Sequence, residues 1–275
     1  MPSPREALQY FSAVVVTGGS SGIGKSFILL AANLKPELVF CNLSRRSPEV
    51  ENTQGAQSNL NHFPCDLSRP DEVERAASAV MAFLAKEVPV GRVLLINNSG
   101  IGAFGAFPEP DLSRQLAMVD VNVRAVVDLT GRLLPLLRAR GGAILNVAST
   151  VAFMPTAYAA TYGASKAFLL HWSLALSEEL RNSGVRVLAV CPGTTTTEFF
   201  RAAGLDGGGV AQRLSQSPDA VAATALRALA MGRSQVVSGW FNWFYAAVAA
   251  RLPKPLASRL AAQFMGRRRR QPPGG

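Results

Sequence analysis

Short apolar runs alternate along the chain with longer stretches of helical period. The runs fall at residues 13–17, 38–43, 62–65, 93–97, 143–148, 185–190 and 235–237. Most are rich in Val, Ile and Leu and show little polar alternation, the pattern of strands covered on both faces. Between them, residues 71–86, 112–138 and 162–182 carry the spacing of amphipathic helices. Repeated strand–helix alternation predicts a mainly parallel, seven-stranded sheet with right-handed crossovers, hence a doubly wound α/β fold. These elements fill the chain without a linker, so a single domain is expected. We divide it into a lead at 1–11, a core at 12–239, a helical appendage at 240–266 and a disordered basic tail at 267–275.

Composition changes this picture little, but charge sharpens it. The 275 residues are 48% apolar and 17% charged, which excludes a disordered or collagen-like chain. The net charge of +10 invites a nucleic-acid reading. Its distribution argues against one: residues 1–250 carry a net of only +3, and residues 251–275 hold seven basic residues and no acidic one. Cys41, Cys65 and Cys191 lie far apart without metal-ligand spacing, so a reducing, cytoplasmic setting is expected. The first eleven residues lack the apolar region of a signal peptide. The apolar stretch at 236–250 is too short to span a bilayer.

The first strand runs into Thr17-Gly18-Gly19-Ser20-Ser21-Gly22-Ile23-Gly24 and then a helix. Glycines there allow a tight turn and let backbone N–H groups approach a pyrophosphate, with the helix N-terminus adding positive potential. Further on come Asn97-Asn98-Ser99-Gly100, Asn122, Ser149, the run Tyr162-Gly163-Ala164-Ser165-Lys166, Pro192-Gly193 and Thr197. In this order and spacing the set resembles the short-chain dehydrogenase/reductase family over about residues 12–200. The segments Ser217-Pro218-Asp219 and Leu252-Pro253 are similar to a bacterial branch whose substrates are poorly defined. Ser99 departs from the alanine that the family more often carries.

Tyr162 and Lys166 stand four apart on a predicted helix and so share a face. A phenol is a weak acid at neutral pH, and a nearby ammonium would lower its pKa. Tyr162 could then exchange a proton with a carbonyl or alcohol oxygen, with Ser149 orienting that oxygen. The resemblance assigns those roles, gives Lys166 a grip on the nicotinamide ribose, and makes Asn122 the holder of a water in a proton relay. It implies a Rossmann-type fold and a cofactor site built from Gly18, Ser20, Ser21, Gly22, Ile23, Gly24, Asp66, Leu67, Asn98, Ser99, Gly100, Tyr162, Lys166, Pro192, Gly193, Thr195 and Thr197. The second strand ends in Ser44-Arg45-Arg46 without an acid, which favours a 2′-phosphate over a free ribose hydroxyl. NADP(H) is therefore the expected cofactor, with Arg45 as main anchor, Arg46 second and Ser44 beside them.

No other constellation competes. His62 and His171 stand alone, the G-x-S-x-G elbow is missing, and no metal-ligand cluster is present in the sequence. The expected reaction interconverts a carbonyl and a secondary alcohol, with an apolar ketone or 3-oxoacyl compound as substrate. Phe153, Met154, Phe199, Phe200 and the aromatics at 240–245 would line its pocket, under a lid at 199–214 freed by Gly204 and Gly207–Gly209. The alternative is a non-catalytic NADP(H)-binding sensor or a membrane-peripheral scaffold of the same fold. For the end of the chain, a packed appendage with a solvated tip is preferred over contact with a membrane surface. Helices at 112–138 and 162–182 match those that pair subunits in the family, implying a homodimer or homotetramer.

Overall fold

The seven apolar runs form seven strands: β1 (Phe11–Thr17), β2 (Val39–Ser44), β3 (Leu60–Pro64), β4 (Arg92–Asn97), β5 (Gly142–Val147), β6 (Val185–Cys191) and β7 (Gln235–Val237). The computed structural model describes residues 2–49, 59–197, 199, 203 and 215–269, without the side chains of 264–269. Every strand pair is parallel, in the order β3-β2-β1-β4-β5-β6-β7. The fold is thus a Rossmann-type, doubly wound sheet in one domain, as the pattern predicts.

The near-continuous hydrophobicity of the inner strands has a direct cause: both faces are covered, whereas the edge strand β3 is only half-buried and carries Asn61 and His62. Along β1, Val14 and Val16 face one core layer, with Phe27 and Ile28 of α2 (Gly22–Leu34) and Leu226 of α7 (Pro218–Ala230). Ala13 and Val15 face the other layer. That layer is filled from α3 (Pro70–Glu87), α5 (Ala125–Arg140) and α6 (Ala160–Glu179) by Val80, Leu129 and Leu176. A period of two along the strand sends neighbours to opposite faces, and here both faces are dry.

Two details depart from the sequence pattern, and a third follows from its prolines. The stretch at 1–11 is more than a lead: Ser3 caps a short helix α1 (Pro4–Leu8), Glu6 completes the capping box, and Leu8 is fully buried. The helix expected at 112–138 is divided into α4 (Leu112–Val119), a π-helical turn at Asp120–Arg124, and α5. The appendage forms two helices, α8 (Trp240–Arg251) and α9 (Lys254–Arg269), separated at Pro253.

The chain leaves β1 toward β2 on one side and returns to β4 on the other. At such a reversal the loops beyond the strand ends part and open a crevice. The glycine turn after β1 and Ser149, Tyr162 and Lys166 lie at that end of the sheet.

Candidate active site

A cleft of about 480 Å³ runs across the carboxyl ends of β1 to β6. Its walls include Gly18, Ser20, Ser21, Gly22 and Ile23 from the first turn, Ser44, Arg45 and Arg46 after β2, and Asp66 and Leu67 after β3. Asn98, Ser99 and Gly100 follow β4, and Pro192, Gly193, Thr195 and Thr197 follow β6. Ser149, Tyr162 and Lys166 complete it. Residues up to 181 positions apart in the chain, Gly18 and Phe199, thus share one cavity.

The turn after β1 holds its shape through neighbours rather than through its own side chains. Gly18 and Gly22 adopt φ of +69° and +54°, where a side chain is strained. A Cβ on Gly22 would stand 3.1 Å from the methyl of Thr197. Thr17 Oγ1 accepts from the N–H groups of Asn98 and Ser99, each at 3.0 Å, while the Asn98 amide donates to the carbonyls of Thr17 and Gly18. Asn98 therefore clamps β4 to the turn as well as lining the cleft. Gly24 does not line the cleft. It lies beneath the turn, where a Cβ would collide with the Gly18 carbonyl, so the close packing of α2 on the turn requires glycine there.

Asn42 is fully buried in an otherwise apolar strand. Its Oδ1 accepts from Gly19 N–H at 2.8 Å, and its amide donates to Ser44 Oγ at 2.8 Å. Ser44 in turn donates to the Arg46 carbonyl at 2.6 Å. This chain fixes the glycine turn relative to the Arg45–Arg46 loop, so Ser44 shapes the backbone there. Arg45 and Arg46 are exposed at the cleft edge. Asp66 is drawn two ways. Partial burial pushes its carboxyl up, but hydrogen bonds from the Ser68 N–H (2.9 Å) and hydroxyl (2.8 Å), aided by Arg45, hold it below its ordinary value. The turn could hold a pyrophosphate, and the two guanidiniums a further phosphate.

At the other end, α6 carries Tyr162 and Lys166 into the cleft one turn apart. The Tyr162 ring lies between Phe104, at 6.0 Å between centroids, and Phe199, at 5.4 Å. Gly102 makes room for Phe199, since a Cβ there would approach its ring to 2.7 Å. Burial pushes the phenol up to about 12, with the Ser149 hydroxyl pulling the other way. The depression expected from Lys166 is absent. The Lys166 ammonium points instead to the Val147 carbonyl at 2.8 Å. Burial also lowers Lys166 to about 8.

That value makes a prediction about folding. Between about pH 8 and 10.5 the unfolded chain binds the Lys166 proton and the folded one does not, so stability rises with pH across this window. Below it, the buried charge costs roughly 3 kcal/mol in full. Relative to a Lys166→Met variant, the urea midpoint of the parent should be constant below pH 8 and climb above it. A parallel pair of curves would show that the lysine is not desolvated.

Asn122 stands behind the cleft rather than in its wall. The π-helical turn points its amide inward, where Oδ1 accepts from Ile101 N–H (2.9 Å) and Nδ2 donates to Ile101 O (2.9 Å) and Ser165 Oγ (3.0 Å). Its side chain thus braces the loop after β4 against α6. Ser165 continues the brace to the Tyr162 carbonyl at 2.7 Å.

The aromatics expected around the substrate divide. Phe199 lines the cleft, whereas Phe153 borders a separate depression beside β7 and Met154 accepts from the Tyr245 hydroxyl at 3.4 Å. Trp240 to Tyr245 lie exposed on α8. Phe200, and the lid apart from Phe199 and Ala203, lie outside the described residues. Sequence reasoning missed Phe104 and Arg114 as lining residues. Arg114 reaches the site by donating to Gly102 O at 3.1 Å, across a loop whose path has no periodic signal. Asn42 did leave a signal, a lone amide inside an apolar strand.

Known proteins resemble the chain over the same region. It matches a family model described as short chain dehydrogenase over residues 12–206. A serine 3-dehydrogenase of Agrobacterium fabrum is 30% identical over 189 residues, covering 68% of this chain and 73% of its own. A very-long-chain 3-oxoacyl-CoA reductase of Neurospora crassa is 34% identical over 198 residues, covering 68% of this chain and 57% of its own. Among solved structures, a short-chain dehydrogenase from Sphingobium yanoikuyae in complex with NADPH superposes with a TM-score of 0.72 at 25% identity, covering 89% of this chain and 97% of the other. With a cleft of this construction, and a match spanning well over half its length, the chain belongs to the short-chain dehydrogenase/reductase family of oxidoreductases.

Proposed function

We propose that the protein is an NADP(H)-dependent reductase that converts an apolar ketone or 3-oxoacyl compound to a secondary alcohol. The observation that carries this reading is the Tyr162 phenol, buried between Phe104 and Phe199, faced by Ser149 and raised to about 12. A phenol with that value keeps its proton at neutral pH, the state required to donate one to a carbonyl oxygen. NADPH, when bound, supplies hydride to the carbonyl carbon. Ser149 would hold the carbonyl oxygen near the phenol, and Lys166 would reach the ribose from the floor beside Gly100. Arg45 and Arg46 would take the 2′-phosphate, which the acid-free end of β2 leaves unopposed.

The apolar substrate class is supported by the rings flanking Tyr162, and by the 3-oxoacyl-CoA activity in the name of the Neurospora relative. A dimer or tetramer through α4–α5 and α6 is supported by exposed apolar side chains on those helices, among them Phe168 stacked on Trp172. A cytoplasmic setting is supported by Cys41, Cys65 and Cys191, all buried and unpaired. A panel of ketones and 3-oxoacyl thioesters, followed by loss of NADPH absorbance, tests the reading. Turnover should concentrate on apolar members and exceed that with NADH. A preference for NADH, or turnover confined to small polar carbonyls, would overturn it.

A further inference from the structure

The aromatic side chains that the cleft does not use form a surface of their own. On α8, Trp240, Phe244 and Val248 follow one another at four-residue spacing, with Phe241 and Tyr245 beside them, and all five are exposed. Trp240 is 82% exposed, Trp243 60% and Phe244 58%. Only Ala246 and Ala249 of this helix are buried. On α9, Ala257 and Ala261 turn inward while Leu256 and Leu260 face out. A contiguous exposed apolar surface of this kind marks a contact site rather than ordinary scatter.

Charge narrows the partner. Residues 240–263 include Arg251, Lys254 and Arg259, all exposed, and no acidic residue. Arg251 donates to the Ala247 carbonyl and Lys254 to that of Phe153, and among the described residues no carboxylate pairs with any of the three. A second copy seated on the same face by two-fold symmetry would bring these uncompensated cations together. An anionic lipid surface would neutralise them while taking up the rings. Tryptophan and tyrosine, with an apolar body and a polar tip, suit the headgroup layer. Among the described residues no helix is long and apolar enough to cross a membrane, and α8 is about 18 Å long.

We propose that α8 and the start of α9 dock the protein on the surface of an anionic bilayer, the rings of α8 lying at headgroup depth and the three cations pairing with lipid phosphates. The surface adjoins the cleft. Asn242 of α8 packs directly on Gly193, which lines the cleft, and donates to the Ser238 carbonyl at 2.8 Å. Docking would bring that wall of the cleft close to apolar carbonyl compounds dissolved in the bilayer, a consequence that rests on the function proposed above.

Sedimentation of the full chain with phosphatidylcholine vesicles, with and without phosphatidylglycerol, tests the docking itself. Binding is expected only with the anionic lipid, and added salt should release it. A Trp240→Ser, Trp243→Ser double variant should partition roughly tenfold or more weakly. Arg251→Gln and Arg259→Gln should each weaken binding roughly fivefold and are too exposed to disturb folding. Absence of binding by the parent, or binding indifferent to both pairs of substitutions, would overturn the proposal. So would light scattering showing that the tryptophan pair holds two copies together while vesicles bind nothing. Vesicle partition is read without turnover, so its failure leaves the reductase reading standing.

Discussion

A Tyr162→Phe variant is expected to lose roughly 10²- to 10⁴-fold in kcat/KM for NADPH-dependent carbonyl reduction, the range that a positioned proton donor contributes. The substitution removes one oxygen and nothing else from the ring that packs between Phe104 and Phe199. The cleft should therefore keep its shape, and NADPH should bind with nearly the parent affinity, as read by quenching of protein fluorescence. The two measurements together separate proton donation from structural support. Retained turnover would remove Tyr162 from the mechanism; loss of both turnover and NADPH binding would make it a packing residue. Because the buried phenol stands near 12, its own ionisation should leave no alkaline limb at moderately basic pH. Lys166, near 8, is the group that would set one.

Replacing Arg45 and Arg46 together by alanine is expected to raise KM for NADPH roughly 10- to 100-fold, the scale of losing charge-assisted hydrogen bonds to a phosphate. KM for NADH should change little, so the ratio of the two isolates the 2′-phosphate. Both side chains stand at the cleft edge, and the backbone of their loop is held by Asn42 and Ser44 instead. The double variant should thus fold normally. Equal losses for both cofactors would show that the arginines shape the loop rather than read the phosphate.

The fold was legible because parallel strands dry on both faces have no alternative to runs of Val, Ile and Leu. Each observed strand begins and ends within about two residues of its run. The site was legible for a related reason: a tight turn near a pyrophosphate needs glycine, and one helical turn brings Tyr162 and Lys166 to the same face. The exceptions were residues whose task depends on what the fold places behind them. Gly24 reads as part of the phosphate turn but packs against the Gly18 carbonyl. Asn122 reads as a relay residue, and only the fold shows that its amide also ties Ile101 to Ser165. Arg114 and Phe104 enter the cleft along an irregular path that no period announces.

The sequence by itself determined the elements, their parallel order and the residue types at the cleft, because these follow from local geometry and hydrophobic period. Tertiary structure alone decided the state of each group. Burial raised Tyr162, against the lowering expected from a nearby ammonium, and lowered Lys166, because desolvation depends on everything packed around a charge. It also decided the place of the aromatics at 240–245. A run of tryptophan and phenylalanine reads equally as pocket or surface, and only packing of Ala246 and Ala249 inward turned the rings of α8 out to solvent.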